Sequence, residues 1–323
     1  MHKILVVQRI HPGGMAILEA GGQVVIPRDP SDEAVISEGR DAEALVVRLT
    51  KVRKSLIDAL PALRVIGRNG VGVDEVDVEA ASARGIMVIN TPGTNSNSVA
   101  EYVISAFMSL YKRLPALDDH TRRGDWKARD QIKGFEVEGR TIGIVGMGRI
   151  GSLLARKCRL GLGMNVVAYD PLVSPDAIRE AGATPCEDLD SILAQSDVVS
   201  LHLPLTPETR GLFDSGRLRR MKREAVLVNA SRGGIVDERG LAEALRDGAI
   251  AGAAVDVFDN EPPARDNPLW GAPNLLVTPH IGGMTEDAAR RTAETMAADV
   301  IRALNGENPV NLYNREALKQ KAL

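Results

Sequence analysis

The sequence predicts an α/β protein of two wound domains, one inserted into the other, and three observations carry that expectation. Short Val/Ile/Leu runs alternate with amphipathic stretches almost from end to end. Continuous apolar strands of this kind belong to parallel sheets covered by helices on both faces. A Gly-x-Gly-x-x-Gly loop, Gly146-Met147-Gly148-Arg149-Ile150-Gly151, begins only after enough chain for a separate domain has passed. After the last strand, a long helical pattern offers the chain a way back to the first domain.

In the first domain, strands are expected at residues 3–7, 23–26, 44–48, 64–68 and 86–89, separated by helical patterns such as 52–60 and 77–84. Ser98-Val99-Ala100-Glu101 then reads as a capping box, serine at the N-cap and glutamate bonding back, opening a helix that reaches about residue 119. A less regular stretch leads to a second series of strands at 141–145, 165–169, 198–202, 225–229, 252–257 and 275–278. Six parallel strands with helices between them make a complete dinucleotide-binding domain. Thr285-Glu286-Asp287 opens the returning helix, which ends at Leu304 before Gly306. The expected organisation is therefore residues 1–98 with 285–323 as a substrate domain and 99–284 as a dinucleotide-binding domain. In fold terms, a Rossmann-type domain is inserted into a flavodoxin-like one.

Composition narrows the class of partner. The 323 residues are 44% hydrophobic and 26% charged, values of a soluble globular protein. Forty basic against 43 acidic residues leave a net charge of -3, which gives no reason to expect nucleic acid or an anionic membrane as partner. Ile4-Leu5-Val6-Val7 is too short for a signal-peptide core, and no apolar run approaches a membrane span. Cys158 and Cys186, in apparently helical segments, read as buried thiols of a reducing compartment. These features point to the cytoplasm. No His/Cys cluster has metal-ligand spacing, so no metal is expected.

The glycine-rich loop gains weight from its context. A strand precedes it, a helix from Arg149 follows it, and Asp170 ends the next strand. Gly146 permits the turn, Gly148 lets the backbone approach a pyrophosphate, and Gly151 lets helix and strand pack closely. The pyrophosphate then meets the helix N-terminus. A carboxylate at Asp170 would accept hydrogen bonds from the adenosine ribose and repel a 2′-phosphate, which favours NAD over NADP.

In open parallel sheets, ligands bind beyond the carboxyl ends of the strands. Arg232, Glu261 and His280 all fall just past strand ends of the second series. Singly, each could be an ordinary loop residue; together on the ligand edge they form a catalytic set. Histidine titrates nearest neutral pH and can give a proton to a ketone oxygen. A neighbouring glutamate favours imidazolium and orients the ring, and arginine offers a forked cation to hold a carboxylate. His202 lies where it could line a cofactor groove, whereas His2, His11 and His120 are expected to face solvent.

The glycine loop, His202-Leu203-Pro204-Leu205-Thr206, Asn229-Ala230-Ser231-Arg232-Gly233-Gly234-Ile235-Val236-Asp237, Asp256-Val257-Phe258 with Glu261-Pro262, and Pro279-His280-Ile281-Gly282-Gly283 resemble the D-isomer-specific 2-hydroxyacid dehydrogenases. The likeness extends to Asn90-Thr91-Pro92-Gly93 and Val99-Ala100-Glu101, and so covers essentially the whole chain. It implies hydride transfer between NAD and a small 2-hydroxy or 2-keto acid. Arg232 would bind and polarise the substrate, His280 would be the acid/base, and Glu261 would pair with it. Arg149 and Ile150 would cover the pyrophosphate, Asp170 the ribose and Asp256 the nicotinamide end. Leu203, Pro204, Ala230, Ser231, Gly282 and Gly283 would complete the cofactor groove. The resemblance further implies a homodimer built through the nucleotide domain, with the active site between domains.

The first domain bears on which acid. Arg48 and Arg68 end neighbouring apolar runs, and Asn69-Gly70-Val71-Gly72 follows, a turn able to present backbone N–H groups to an anion. These patterns are similar to the 3-phosphoglycerate dehydrogenase branch, in which two arginines face the phosphate; surface ion pairing is the ordinary alternative. The chain ends at Leu323, where a short form without a C-terminal regulatory domain is expected. A glyoxylate/hydroxypyruvate reductase and a sulfolactate dehydrogenase fit the same residues. From another class, so does an NAD(H)-sensing corepressor-like binding protein.

Overall fold

The apolar runs of the N-terminal part become five parallel strands in the computed structural model, which describes residues 1–321. They are β1 (His2–Val6), β2 (Gly22–Val25), β3 (Ala44–Val47), β4 (Val65–Arg68) and β5 (Met87–Ile89), paired in the order β2-β1-β3-β4-β5. That is the flavodoxin-like order. Side chains alternate between faces along each strand. Ile4 and Val6 pack with Ala293, Met296 and Val300 of the Glu286–Leu304 helix, while Leu5 and Val7 pack on the other face with Leu56, Ile57 and Leu60. Helices on both faces account for strands that read as unbroken apolar runs.

The second series forms a seven-stranded parallel sheet in the order β12-β11-β10-β9-β6-β7-β8. Its strands are β6 (Thr141–Val145), β7 (Asn165–Tyr169), β8 (Thr184–Pro185), β9 (Val198–Leu201), β10 (Val226–Asn229), β11 (Gly252–Val255) and β12 (Leu275–Val277). The order is that of a dinucleotide-binding sheet with one added strand, and it reverses between β6 and β9. Edge strand β8 goes unpredicted because two residues, one of them proline, carry no periodic signal. Two compact units result: Met1–Asn95 together with the chain from Met284 onward, and Ser96–Gly283.

The structure corrects three local expectations. The capping box at Ser98 is not formed, because the helix already begins at Ser96 and buries Ser98 in its first turns. Glu101 instead accepts from Asn97 Nδ2 at 2.8 Å and pairs with Lys157 at 3.2 Å. That helix ends at Tyr111, not near 119. Pro115 has no N–H to return to the Tyr111 carbonyl, which accepts from Phe135 N instead (2.8 Å), and a separate helix starts at Leu114. Cys186 is not helical; it follows β8 and donates its N–H to Ala168 O, while Cys158 lies buried in the Arg149–Leu162 helix with its thiol pushed up to about 12 by burial.

The returning helix is fastened by a buried carboxylate. Asp299, 1% exposed, accepts from Val310 N and Asn311 N (3.0 and 2.9 Å), from Asn311 Nδ2 (2.8 Å) and from Arg302 Nη1 (2.7 Å). The chain beyond it lies along the edge of β5: Asn314 Oδ1 accepts from Val88 N, and Leu312 bridges to Ile89. A tail so placed covers an otherwise unpaired strand edge. Burial raises the Asp299 pKa, but the backbone and side-chain donors outweigh it and hold the carboxyl below its usual value. Asp299→Ala should cost about 2–4 kcal/mol by leaving buried donors unpaired, read as the urea midpoint at pH 7. Because the folded value is depressed, this stabilisation is full above the ordinary carboxylate pKa of about 4 and fades as pH falls through the lower folded value. Wild type and variant should therefore converge in acid. A shift under about 0.5 kcal/mol at pH 7 would remove Asp299 as the anchor.

Candidate active site

The glycine loop of the second unit leaves β6 at the point where strand order reverses. Gly146 turns with φ 98°, and a Cβ there would lie 2.5 Å from His202 O; a Cβ at Gly151 would overlap Gly146 O. Those two glycines are thus required by the fold itself. Gly148 is different, because a Cβ there would meet nothing within 4 Å and would only fill open space in front of the helix. Gly148 is also the N-cap of the Arg149–Leu162 helix, without a side-chain cap and with no acidic residue in the first turn. Its first N–H groups and positive end suit an anion such as a pyrophosphate. Asp170 closes the loop, taking Met147 N on one oxygen (2.8 Å) and Leu172 N on the other (2.9 Å), and stays half-buried.

His202, just past β9, has Nε2 2.9 Å from Ser200 Oγ, two residues back on the same strand face. Its Nδ1 is buried without a partner among the described residues, and burial pushes the imidazole down to about 4, so the ring is neutral at working pH. A buried, unpaired ring nitrogen beside the glycine loop, and open space over Gly148, fit a bound dinucleotide. Leu203 packs near Gly146, and Pro204 O accepts from Thr209 Oγ1.

The loop after β10 is shaped by Asn229, which is 2% exposed. Its Oδ1 accepts from Ser231 N and Oγ, and its Nδ2 donates to Arg232 O, fixing Ala230-Ser231-Arg232. Arg232 donates from Nη1 to Ser231 O at 2.7 Å. Gly233 then runs against the backbone of Phe258, where any Cβ would overlap the Phe258 carbonyl. This contact sets the Arg232 loop against the loop that carries Glu261. Glu261 Oε1 accepts from Phe258 N (3.1 Å), and Oε2 lies 2.7 Å from His280 Nδ1. With Nδ1 committed to Glu261, Nε2 is the ring nitrogen available to a substrate.

His280 sits in a left-handed backbone conformation, φ 55°. Three successive N–H groups of its loop end on one residue: His280 N on the Asp256 carbonyl (2.8 Å), Ile281 N on Oδ1 (2.8 Å) and Gly282 N on Oδ2 (2.7 Å). Asp256 is 1% exposed, and both its oxygens serve the loop. The sequence places Asp256 at the ligand edge but does not disclose this work. Asn229 and Gly233 are likewise overlooked, although both stand inside the run that contains Arg232. The other histidines are not simply solvent-facing. His2 pairs with Glu43, His11 with Glu286 and His120 with Asp125, each at about hydrogen-bond distance (3.0, 3.0 and 2.9 Å).

In the first unit, β3 and β4 are neighbours with Val47 opposite Arg68, so Arg48 and Arg68 stand at adjacent strand ends. Gln8 Oε1 accepts from the N–H groups of Arg48 and Leu49, and Arg48 Nη2 lies 3.6 Å from Met284 Sδ. Arg68 Nη1 donates to Asn69 O at 3.0 Å, and its guanidinium lies where a Cβ of Gly70 would be. Val71 O accepts from Asn90 Nδ2, while Asn69 Oδ1 and Thr91 Oγ1 are buried without partners among the described residues.

Residues 104–282 match the family model for the NAD binding domain of D-isomer specific 2-hydroxyacid dehydrogenases. The D-3-phosphoglycerate dehydrogenase of Methanocaldococcus jannaschii is 38% identical over 100% of this chain and 61% of its own length. The glyoxylate reductase of Korarchaeum cryptofilum is also 38% identical, over 98% of this chain and 97% of its own. A solved protein from Thermus thermophilus superposes with TM-score 0.89 at 34% identity, covering 96% of this chain and 99% of the other. The chain belongs to the D-isomer-specific 2-hydroxyacid dehydrogenase family, and its second unit contains that family's NAD-binding domain. It spans about three fifths of the length of the archaeal phosphoglycerate dehydrogenases it resembles. No helix among the described residues is long and apolar enough to cross a membrane.

Proposed function

We propose that the chain is an NAD-dependent D-2-hydroxyacid dehydrogenase of the cytoplasm, working as a homodimer joined through its dinucleotide-binding domain. In the reducing direction a 2-keto acid, NADH and a proton give the 2-hydroxy acid and NAD⁺. The observation that carries the reading is the 2.7 Å pair of Glu261 with His280 Nδ1 beside the Arg232 loop. The bound dinucleotide supplies the hydride. Arg232 holds the substrate carboxylate and polarises the adjacent carbonyl, and Nε2 of His280 delivers the proton to the ketone oxygen. Glu261 fixes the ring tautomer and stabilises imidazolium. Gly146, Gly148, Gly151, Arg149 and Ile150 receive the pyrophosphate, and Asp170 receives the ribose. His202, Leu203, Pro204, Ala230, Ser231, Gly282 and Gly283 line the groove.

For substrate, 3-phosphoglycerate and its keto form come first. Two arginines at adjacent strand ends, followed by the Asn69-Gly70-Val71-Gly72 turn, are suited to a second anionic group. Glyoxylate or hydroxypyruvate is the second reading, favoured by the likeness to a glyoxylate reductase over nearly its full length.

Three measurements bear on these roles. NADH should be preferred to NADPH in kcat/KM, and Asp170→Ala should relax the preference; equal use of both by wild type would end this reading of Asp170. His280→Ala should lower kcat by on the order of 10²–10⁴ with NADH binding kept, and near-normal turnover would remove His280 from the mechanism. Arg68→Ala should cost on the order of tenfold to a hundredfold in kcat/KM for phosphohydroxypyruvate, the loss of a charge-assisted hydrogen bond, with glyoxylate nearly unaffected. Wild type that prefers hydroxypyruvate, with Arg48→Ala and Arg68→Ala silent on both substrates, would exclude the phosphorylated acid.

A further inference from the structure

The loop carrying His280 is held from behind by a chain of hydroxyls that begins on the Ser96–Tyr111 helix. Tyr102 OH lies 2.6 Å from Thr278 Oγ1, and Thr278 Oγ1 lies 2.6 Å from Asp256 Oδ1. An ionised carboxylate can only accept, so Thr278 must donate to Asp256 and accept from Tyr102. The order is therefore fixed: Tyr102 O–H to Thr278 O–H to Asp256. Burial, the largest influence, pushes the Tyr102 phenol up to about 12, so it remains a donor throughout the working pH range.

Asp256 is the hub. It is buried, and among the described residues its side-chain hydrogen bonds come from one hydroxyl and two N–H groups, with no cation among them. Two of those donors are the N–H groups of Ile281 and Gly282, immediately after His280. His280 itself has a backbone conformation that non-glycine residues adopt only when their surroundings impose it. Any rotation of the Asp256 carboxylate would move its two oxygens and the two N–H groups they hold. The ring of His280 would then turn away from Glu261.

We propose that Tyr102 and Thr278 are positioning residues for His280, acting through Asp256 to hold the proton donor in register with Glu261. The proposal rests on the reading of His280 as the acid/base. Neither hydroxyl need touch substrate or cofactor for it to hold. Its effect belongs in kcat, where alignment of the donor counts, rather than in cofactor affinity.

The test uses the full chain, NADH, and hydroxypyruvate or phosphohydroxypyruvate, whichever wild type reduces faster. Tyr102→Phe should lower kcat about fivefold and Thr278→Val about tenfold or more, while the Kd for NADH, read from its fluorescence, stays within about twofold. Thr278→Ser, which restores the hydroxyl, should recover most of kcat. Because the action runs through the Glu261–His280 pair, Thr278→Val should add little to the loss already caused by Glu261→Gln, a coupling that a merely structural role would not produce. Thr278→Val and Tyr102→Phe with normal kcat, or additive losses in the double variant, would overturn the proposal. So would losses of kcat, NADH binding and thermal stability in step. An active His280→Ala would instead overturn the acid/base reading beneath it. An inactive His280→Ala beside a fully active Thr278→Val would sink the positioning role alone.

Discussion

Every strand pair within the two sheets is parallel, and the candidate site depends on that constraint. A parallel strand must be followed by a crossover, so each strand releases its next loop at the same edge of its own sheet. In the second unit this brings the glycine loop after β6, Asp170 after β7, His202 after β9, Arg232 after β10 and His280 after β12 to one rim. Residues more than a hundred positions apart, such as Gly146 and His280, thereby share one rim without any long loop being ordered for the purpose. In the first unit the same rule puts Arg48 and Arg68 at adjacent strand ends.

Bringing loops to one edge does not yet give them a shape. Short loops with positive φ need acceptors for their N–H groups, and the protein provides buried carboxamide and carboxylate side chains. Asn229 serves Ser231 and Arg232; Asp256 serves His280, Ile281 and Gly282. A buried carboxylate is costly to desolvate unless it is fully hydrogen-bonded. That cost is what makes the arrangement specific, because few conformations of the 280–283 loop satisfy all the donors at once. The strained φ of His280 is then a consequence of tight specification.

Much of this was legible in the residues because helices cover both faces of the sheets. The five strands of the first unit and the six long strands of the second are all apolar runs, and they are found where those runs lie. What failed was local. β8 has two residues and a proline. The Ser96–Tyr111 helix starts directly after Asn95, but Thr94-Asn95-Ser96-Asn97-Ser98 is a run of cap-forming residues, and only Ser98 has a glutamate three positions on, which places the expected cap three residues late. The end of that helix was decided by Pro115, whose effect on a carbonyl four residues earlier is easily passed over in a helical pattern. In the site, the pairing of Glu261 with His280 was legible from their chemistry. The roles of Tyr102 and Thr278 were not, since hydroxyls on a helix and at a strand end have no pattern that links them.

Three aspartates show where reading by position stops. Asp170, Asp256 and Asp299 each accept two backbone N–H groups, so by hydrogen bonding alone they are alike. Exposure and the remaining partners separate them. Asp299 is buried and has a cation, Arg302, so its charge is balanced within the fold and its work is to fasten the tail. Asp170 is half-buried, with Met147 N on one oxygen and Leu172 N on the other, so its carboxylate is partly open to solvent. Asp256 is as buried as Asp299, but its side-chain donors among the described residues are neutral, the Thr278 hydroxyl and the N–H groups of Ile281 and Gly282, so its work is to shape the His280 loop. A strand-end aspartate on the ligand edge therefore specifies only that a charge is present. Whether it meets a ligand, a loop or a neighbouring charge is settled by the atoms that surround it.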